Sequence, residues 1–227
     1  GTTDIAIFKD GIIRHTAVIP FGGNVITNDI KEGCTILEKQ AELLKIKFGS
    51  ALSSQNKENE IVSIPGLRGR DPKEISLKML ASIIQARMEE IIELVVHEIR
   101  NSGYQNKLIG GIVLTGGGSQ LRHISQLVEF HTTMQSRVGY PNEHLASTSP
   151  IDVSSPMYAT GIGLVIEGII RFDIANVREG NLNSDDNSSG NDKAKKRDKR
   201  SKDGDGESGP SRFLQSLKNW FENDTSE

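Results

Sequence analysis

Apolar positions along the chain change their period several times, and each change marks an element. Thr3 to Phe8 and Ile12 to Pro20 are apolar, β-branched runs separated by Asp10-Gly11, a strong short-range hairpin signal, so the chain begins inside a sheet. After Phe21-Gly22-Gly23 the residues turn polar and read as a loop. Thr35-x-x-Glu38 then has capping-box spacing and opens a helix to about Phe48, with Gly49 as its stop and Leu37, Ala41, Leu44 and Phe48 as its buried stripe. Ser50 to Glu60 is a polar loop, Ile61 to Ile64 a short strand and Pro65-Gly66 a turn. Asp71-Pro72-x-Glu74 places a capping aspartate before a first-turn proline. A long helix is expected from there to near Gly103, apolar at Ile75, Met79, Leu80, Ile83, Ile84, Met88, Ile91, Ile92 and Val95, and its length suggests two helices in tandem.

The next pattern is strand, glycine turn, helix. An apolar run from Leu108 to Leu114 leads into Thr115-Gly116-Gly117-Gly118-Ser119, and Leu121, Ile124, Leu127 and Val128 then share one helical face to about Met134. Three successive glycines allow positive φ and a close approach to a ligand, with helix N–H groups behind them for an anion or polar group. A tight strand-to-helix connection uses the same residues. A polar connection containing Pro141 and Pro150 follows. Pro156 sits in the first turn of another helix, where Ala159, Gly161 and Gly163 permit close packing and Leu164 to Phe172 completes the globular part.

From about Arg178 the composition shifts to Asn, Asp, Ser, Gly and Lys, too poor in apolar residues to offset chain entropy, and Glu179 to Gly209 is expected to be disordered. Beyond it, Ser211 caps a short helix with Phe213, Leu214, Leu217, Trp220 and Phe221 on one face. A helix this short is marginal alone in water and needs a surface. Docking on protein and lying in a membrane interface are both open to it. A flexible linker of this length spans about 30 Å, which favours tethering, and the basic block Lys193 to Lys202 favours an anionic membrane.

Composition narrows the chemistry. The 30 Asp+Glu against 27 Lys+Arg give no global attraction for nucleic acid, and the basic block lacks the aromatics that stack on bases. The single cysteine, Cys34, excludes an internal disulfide, no Cys/His cluster has zinc spacing, and a reducing compartment fits. Glu42 and Lys45, three apart on a helix, are close enough to act together on a ribose or base, but the spacing by itself favours a solvated helix-surface pair. No Ser/His/Asp arrangement or paired acid and base is legible.

These motifs carry a resemblance. Gly1-Thr2-Thr3-Asp4 is similar to the end of the second phosphate motif of the actin and Hsp70 ATPase superfamily, Leu114 to Ser119 to its adenosine motif, and Ser154 to Gly161 to its second connecting helix. Val18 to Gly23, Thr27-Asn28-Asp29-Ile30, Ala41 to Lys45, and Ile64-Pro65-Gly66 followed by Gly69-Arg70 resemble the FtsA family of bacterial cell-division proteins in particular, and Phe213 to Phe221 resembles that family's membrane-targeting helix.

The resemblance implies an actin-like, ribonuclease H-like α/β fold: the second half of the nucleotide-binding subdomain over residues 1–27 and 101–172, with its last helix facing a first half that lies upstream. An inserted smaller α/β lobe would span 28–100, a disordered linker 173–210 and an amphipathic helix 211–222. It implies ATP with Mg2+ as ligands. Thr2 and Asp4 would lie near phosphates and metal, Asp4 only through water, with Gly1 and Thr3 beside them. Glu42 and Lys45 would contact ribose and adenine, and Gly116, Gly117, Gly118 and Ser119 would hold the adenosine from the other side. Implied partners are the C-terminal tail of the tubulin-like FtsZ on the outer lobe, further copies of the chain in a filament or dimer, the cytoplasmic membrane, and later division proteins through the upstream half; nucleic acid is not among them. The expected place is the cytoplasmic face of the membrane at the division site. The chain then reads as a fragment of an ATP-binding scaffold with weak hydrolysis at most. A small-molecule kinase or a chaperone ATPase of the same superfamily is the alternative, and the C-terminal tail argues against both.

Overall fold

The computed structural model describes residues 1–66, 71–143 and 153–185, with side chains to 175. The expected helix bearing Phe213, Leu214, Leu217, Trp220 and Phe221 lies outside the described residues, as does Gly69-Arg70. Residues Gly1–Asn176 form one compact unit; of the second, Val177–Glu227, only the closing turns of a helix are described.

Strands β1 (Thr3–Lys9) and β2 (Ile12–Ile19) pair antiparallel across the two-residue turn, where Asp10 and Gly11 take φ of 56° and 72°, as a type I′ hairpin requires. Next, where a loop was expected, lies helix α1 (Gly23–Cys34). Its burial explains it: Ile26, Ile30 and Cys34 recur every fourth residue and are fully buried, while Asn28, Lys31 and Glu32 stay outside the core. Thr35 ends this helix instead of capping the following one. It adopts φ 50°, its N–H bonds Glu32 O, and Ile36 N–H reaches back to Lys31 O, a Schellman-type stop. Helix α2 (Glu38–Phe48) starts after Leu37, whose backbone N–H donates to the Gln40 side chain, and stops at Gly49 as expected. Ala41 and Leu44 face the core, but Leu37 is exposed.

The Asp71-Pro72 segment likewise does not open a helix. Strand β3 (Ile61–Ile64) pairs antiparallel with β4 (Lys73–Ser76), with Val62 opposite Ile75 and both Ile64 and Ile75 buried. Helix α3 (Leu77–Asn101) begins only after that pairing and runs unbroken for 25 residues. It is one helix, not two, because it serves two cores. Its first half gives Leu80 and Ile84 to a cluster with Ile26, Ile30, Cys34, Ala41, Leu44, Ile64 and Ile75. Its second half gives Ile92 to a cluster with Ala51, Ile124, Leu127 and Val128. Met88 packs against both, as an unbranched side chain can.

Strand β5 (Ile112–Leu114) is shorter than the apolar run that announces it, because Gly111 turns at φ 71°. It pairs in parallel with β6 (Ser136–Val138), a strand too short and polar to stand out in the sequence. Between them the glycine turn leads into a 3₁₀ turn, Gly117–Gln120, and helix α4 (Ile124–Thr132) follows only after a further break at His123. The three ladders, β1–β2, β3–β4 and β5–β6, are separate two-stranded sheets among the described residues. After the short turn Pro156–Tyr158, capped by Ser155 Oγ, α5 (Ala159–Asp185) continues past Phe172 and Arg178, into the stretch whose composition reads as disordered.

Candidate functional site

The glycine turn and the start of the chain face one cavity of about 390 Å³. Its wall includes Thr2, Thr3, Asp4, Gly22 and Gly23 on one side, Thr115 to Ser119 on another, and Ile91, Ile92, Ile112 and Leu114 at its apolar base. Packing explains why glycine stands at Gly22: a Cβ there would come within 3.0 Å of the Gly1 backbone. Thr3 Oγ1 donates to Phe21 O at 2.8 Å and so ties β1 to the lead-in of α1. Thr2 Oγ1 donates to the Asp4 carboxylate at 3.1 Å, which leaves an exposed carboxylate at the cavity rim.

The glycine turn uses the freedom that its three glycines allow at one position. Only Gly116 has a positive φ, 83°. Its N–H is held by Pro156 O at 3.0 Å and Thr115 Oγ1 reaches Pro156 O and Gly139 O, so the segment before α5 braces the turn from behind. Inside the turn Ser119 N–H donates to Gly116 O, and Gly117 and Gly118 line the cavity at the start of this 3₁₀ turn. Cβ atoms built on Gly116, Gly117 or Gly118 meet nothing within 4 Å, so these residues keep space open rather than let protein atoms approach. Ser119 is turned inward: it is buried and its hydroxyl donates to Gly116 O at 2.8 Å. It shapes the turn and contacts the cavity without offering its hydroxyl.

Glu42 and Lys45 are brought together but do not line this cavity. Lys45 Nζ donates to Gly23 O at 2.9 Å, Thr27 Oγ1 at 2.7 Å and Glu42 Oε2 at 2.7 Å, and Thr27 also donates to Glu42. Gly23 lines the cavity, whereas the ammonium that holds its carbonyl does not. Glu42 opens instead to a groove between α1 and α2 with Asn24, Thr27 and Lys39. The pair is therefore a tie between α2 and the first turn of α1, more than the solvated surface pair that spacing alone allows. Thr27, buried and central to it, was not legible as a site residue; its four-residue spacing from Gly23 on α1 was the signal, hidden while α1 read as a loop.

Burial pushes the Glu42 carboxyl up, but hydrogen bonds from Lys45 and Thr27 and the ammonium's charge outweigh this and hold it below the ordinary glutamate value. A lowered folded value stabilises the protein above the unfolded pKa, and that contribution disappears as pH falls through the folded one. Glu42→Gln is therefore expected to cost about 1 kcal/mol near pH 7, as for a half-exposed ion pair, and nothing once the Glu42 carboxyl is protonated in both the folded and the unfolded state. Urea midpoints of the two proteins between pH 7 and pH 3 check this; curves that stay parallel throughout refute it.

No group of three or more His, Cys, Asp and Glu capable of holding a metal occurs among the described residues, and among them Asp4 is the one carboxylate in the cavity wall. No described helix is long and apolar enough to cross a membrane.

Comparison with known proteins places this arrangement. A profile of the family described as cell division protein FtsA matches residues 1–163. The cell division protein FtsA of Pseudomonas aeruginosa is 40% identical over 169 residues, 74% of this chain and 40% of that protein, and that of Escherichia coli K12 is 38% identical over 178 residues, 74% and 41%. The chain spans about two fifths of the length of these relatives. Among solved structures, MreB5 of Spiroplasma citri bound to ADP matches with a TM-score of 0.58 at 22% identity, over 78% of this chain and 53% of that one. Its AMPPNP-bound form matches at 0.56 and 23%, over 78% and 52%. The fold is actin-like. With its profile match running from residue 1 to residue 163, the chain belongs to the FtsA family of cell division proteins.

Proposed function

We propose that this chain contributes the adenosine side and part of the phosphate side of an ATP site in an actin-like division scaffold, which polymerises and tethers FtsZ to the cytoplasmic membrane. The observation that carries the reading is the single cavity shared by Thr2, Asp4 and Gly116 to Ser119. The residues fit the ligand: side-chain-free space above three glycines suits the flat faces of an adenosine, and backbone N–H groups at the start of a helical turn would suit its polar edge. Thr2 and Asp4 would sit toward the phosphates, with Gly1 and Thr3 fixing their backbone. Asp4 alone would orient Mg2+ through water, the metal neutralising phosphate charge when bound. The match of the same fold to proteins solved with ADP and AMPPNP supports the choice of nucleotide.

Lys45 and Glu42 act in this reading by holding Gly23, and a ribose or base reaching past Gly23 would meet them. ATP serves as a clamp that orders the polymerising form, and the chain is a scaffold rather than an enzyme with a fast turnover. A saturable titration of the native protein with fluorescent ATP tests the site; absence of saturation rejects it. FtsZ would be bound by its C-terminal tail on the lobe built around α1, α2 and α3, and later division proteins elsewhere in the whole protein. The membrane contact rests on sequence: Phe213, Leu214, Leu217, Trp220 and Phe221 on one helical face behind a basic block. Trp220→Glu with Phe221→Glu is expected to abolish co-sedimentation of the native protein with vesicles containing anionic lipid, since each change places a charge at an apolar depth. Unchanged sedimentation would sink the tether.

A further inference from the structure

The last turn of α2 spans the gap between the two glycine segments of the cavity wall. At one end Lys45 Nζ holds Gly23 O at 2.9 Å. One turn later, Gly49 N–H closes on Lys45 O at 3.0 Å, and the chain then joins the segment that follows the glycine turn. Ser50 forms a parallel bridge with Arg122; Ala51 N–H donates to Arg122 O at 2.8 Å and Arg122 N–H to Gly49 O at 3.3 Å. Arg122 Nη2 adds a bond to Lys47 O at 3.3 Å. Ser50 Oγ and His123 Nδ1 lie 3.0 Å apart beneath this bridge.

Two features show that the junction is specified. A Cβ at Gly49 would fall 2.2 Å from Lys45 O and 2.8 Å from Leu121 Cδ2, so the close approach admits no side chain. His123 holds φ 63°, a left-handed conformation that non-glycine residues adopt at a cost, among which Asn, Asp and His are enriched. Ser50 is 1% exposed, which removes it from any role as a nucleophile despite its histidine partner. Its hydroxyl also meets Leu52 O at 3.1 Å, so it is held in place from both sides.

We propose that Lys45–Gly49 is a strut that sets the spacing between Gly23 and the glycine turn, locked by the Ser50–His123 contact, and that Ser50 and His123 are positioning residues for nucleotide binding. Neither lines the cavity. The proposal rests on the ATP site proposed above. A wall that moves by a fraction of an ångström changes contacts to a rigid adenosine and leaves a flexible triphosphate chain free to adjust. The strut therefore governs affinity for the nucleoside part.

The test measures fluorescent ATP binding to the native protein and displacement by unlabelled ATP and by inorganic tripolyphosphate, for wild type, Ser50→Ala, His123→Ala and His123→Asn. Removing either partner is expected to weaken ATP about tenfold, the scale of a buried polar group left unpaired, with tripolyphosphate affinity unchanged. His123→Asn, which tolerates the left-handed backbone and still offers Ser50 a partner, is expected within about threefold of wild type. ATP affinity unchanged in Ser50→Ala and His123→Ala would overturn the strut while leaving the ATP site standing. Equal loss of ATP and tripolyphosphate with a lowered Tm would overturn it as general unfolding. A wild type that binds no ATP removes the site, and the strut's role with it.

Discussion

Gly111→Ala is expected to destabilise the protein by about 3 kcal/mol, among the larger effects available to a single added methyl group. Gly111 sits at φ 71°, and a Cβ built on it lies 2.3 Å from the Gln135 carbonyl oxygen. That carbonyl cannot retreat freely, because it accepts the Ile112 N–H at 2.8 Å and thereby starts the pairing of β5 with β6. Alanine would bear left-handed strain of about 1–2 kcal/mol and lose or stretch a ladder hydrogen bond worth about 1 kcal/mol. The effect reaches the site as well, since Ile112 and Leu114 of β5 line the cavity and the strand carries the glycine turn. Gly110→Ala is the control. Its built Cβ meets nothing within 4 Å, and its cost should stay within about 0.5 kcal/mol. Urea unfolding of both variants decides: equal midpoints would show that the β5–β6 entry is not constrained in this way.

Gly111 also illustrates what a sequence can and cannot announce. The run Leu108 to Leu114 is apolar throughout, so its periodicity places a strand there but not the turn that shortens it to three residues. Asp10-Gly11 was legible because the turn chemistry is local: two left-handed residues close the hairpin whatever surrounds it. Helix α1, strand β4 and strand β6 are set by tertiary contacts. In α1 the stripe is only Ile26, Ile30 and Cys34 among polar neighbours, and in β4 the pairing with Ile61–Ile64 prevails over a proline and aspartate that favour helix initiation. The length of α3 misled for a related reason, because nothing in its stripe marks the handover at Met88 from one core to the other.

The candidate site divides along the same line. Thr2, Thr3, Asp4 and Gly116 to Ser119, singled out by motif, line one cavity. The brace on Gly116 from Pro156 O and the hold of Lys45 on Gly23 O depend on hydrogen bonds between residues far apart in sequence, and no spacing encodes them; the inward turn of the Ser119 hydroxyl onto Gly116 O is local, but side-chain direction is not read from residue type.

Gly117→Asp is expected to lower affinity for ATP at least tenfold while leaving the fold intact. The two halves of this outcome have separate causes. Gly117 does not need a left-handed backbone, and a Cβ there meets no atom within 4 Å, so a side chain fits the unliganded protein and Tm should shift by no more than a few degrees. The same open space is what the proposed adenosine would fill. An aspartate projecting into it removes volume and adds a negative charge to a cavity whose wall, among the described residues, already carries Asp4 and no lysine or arginine, against a ligand that is itself an anion. Gly116→Asp makes the contrast, since φ 83° adds strain there and stability should fall along with binding. Fluorescent ATP titration beside thermal unfolding separates these causes. Wild-type affinity in a normally folded Gly117→Asp protein would mean that the nucleotide, if bound, does not lie against the glycine turn.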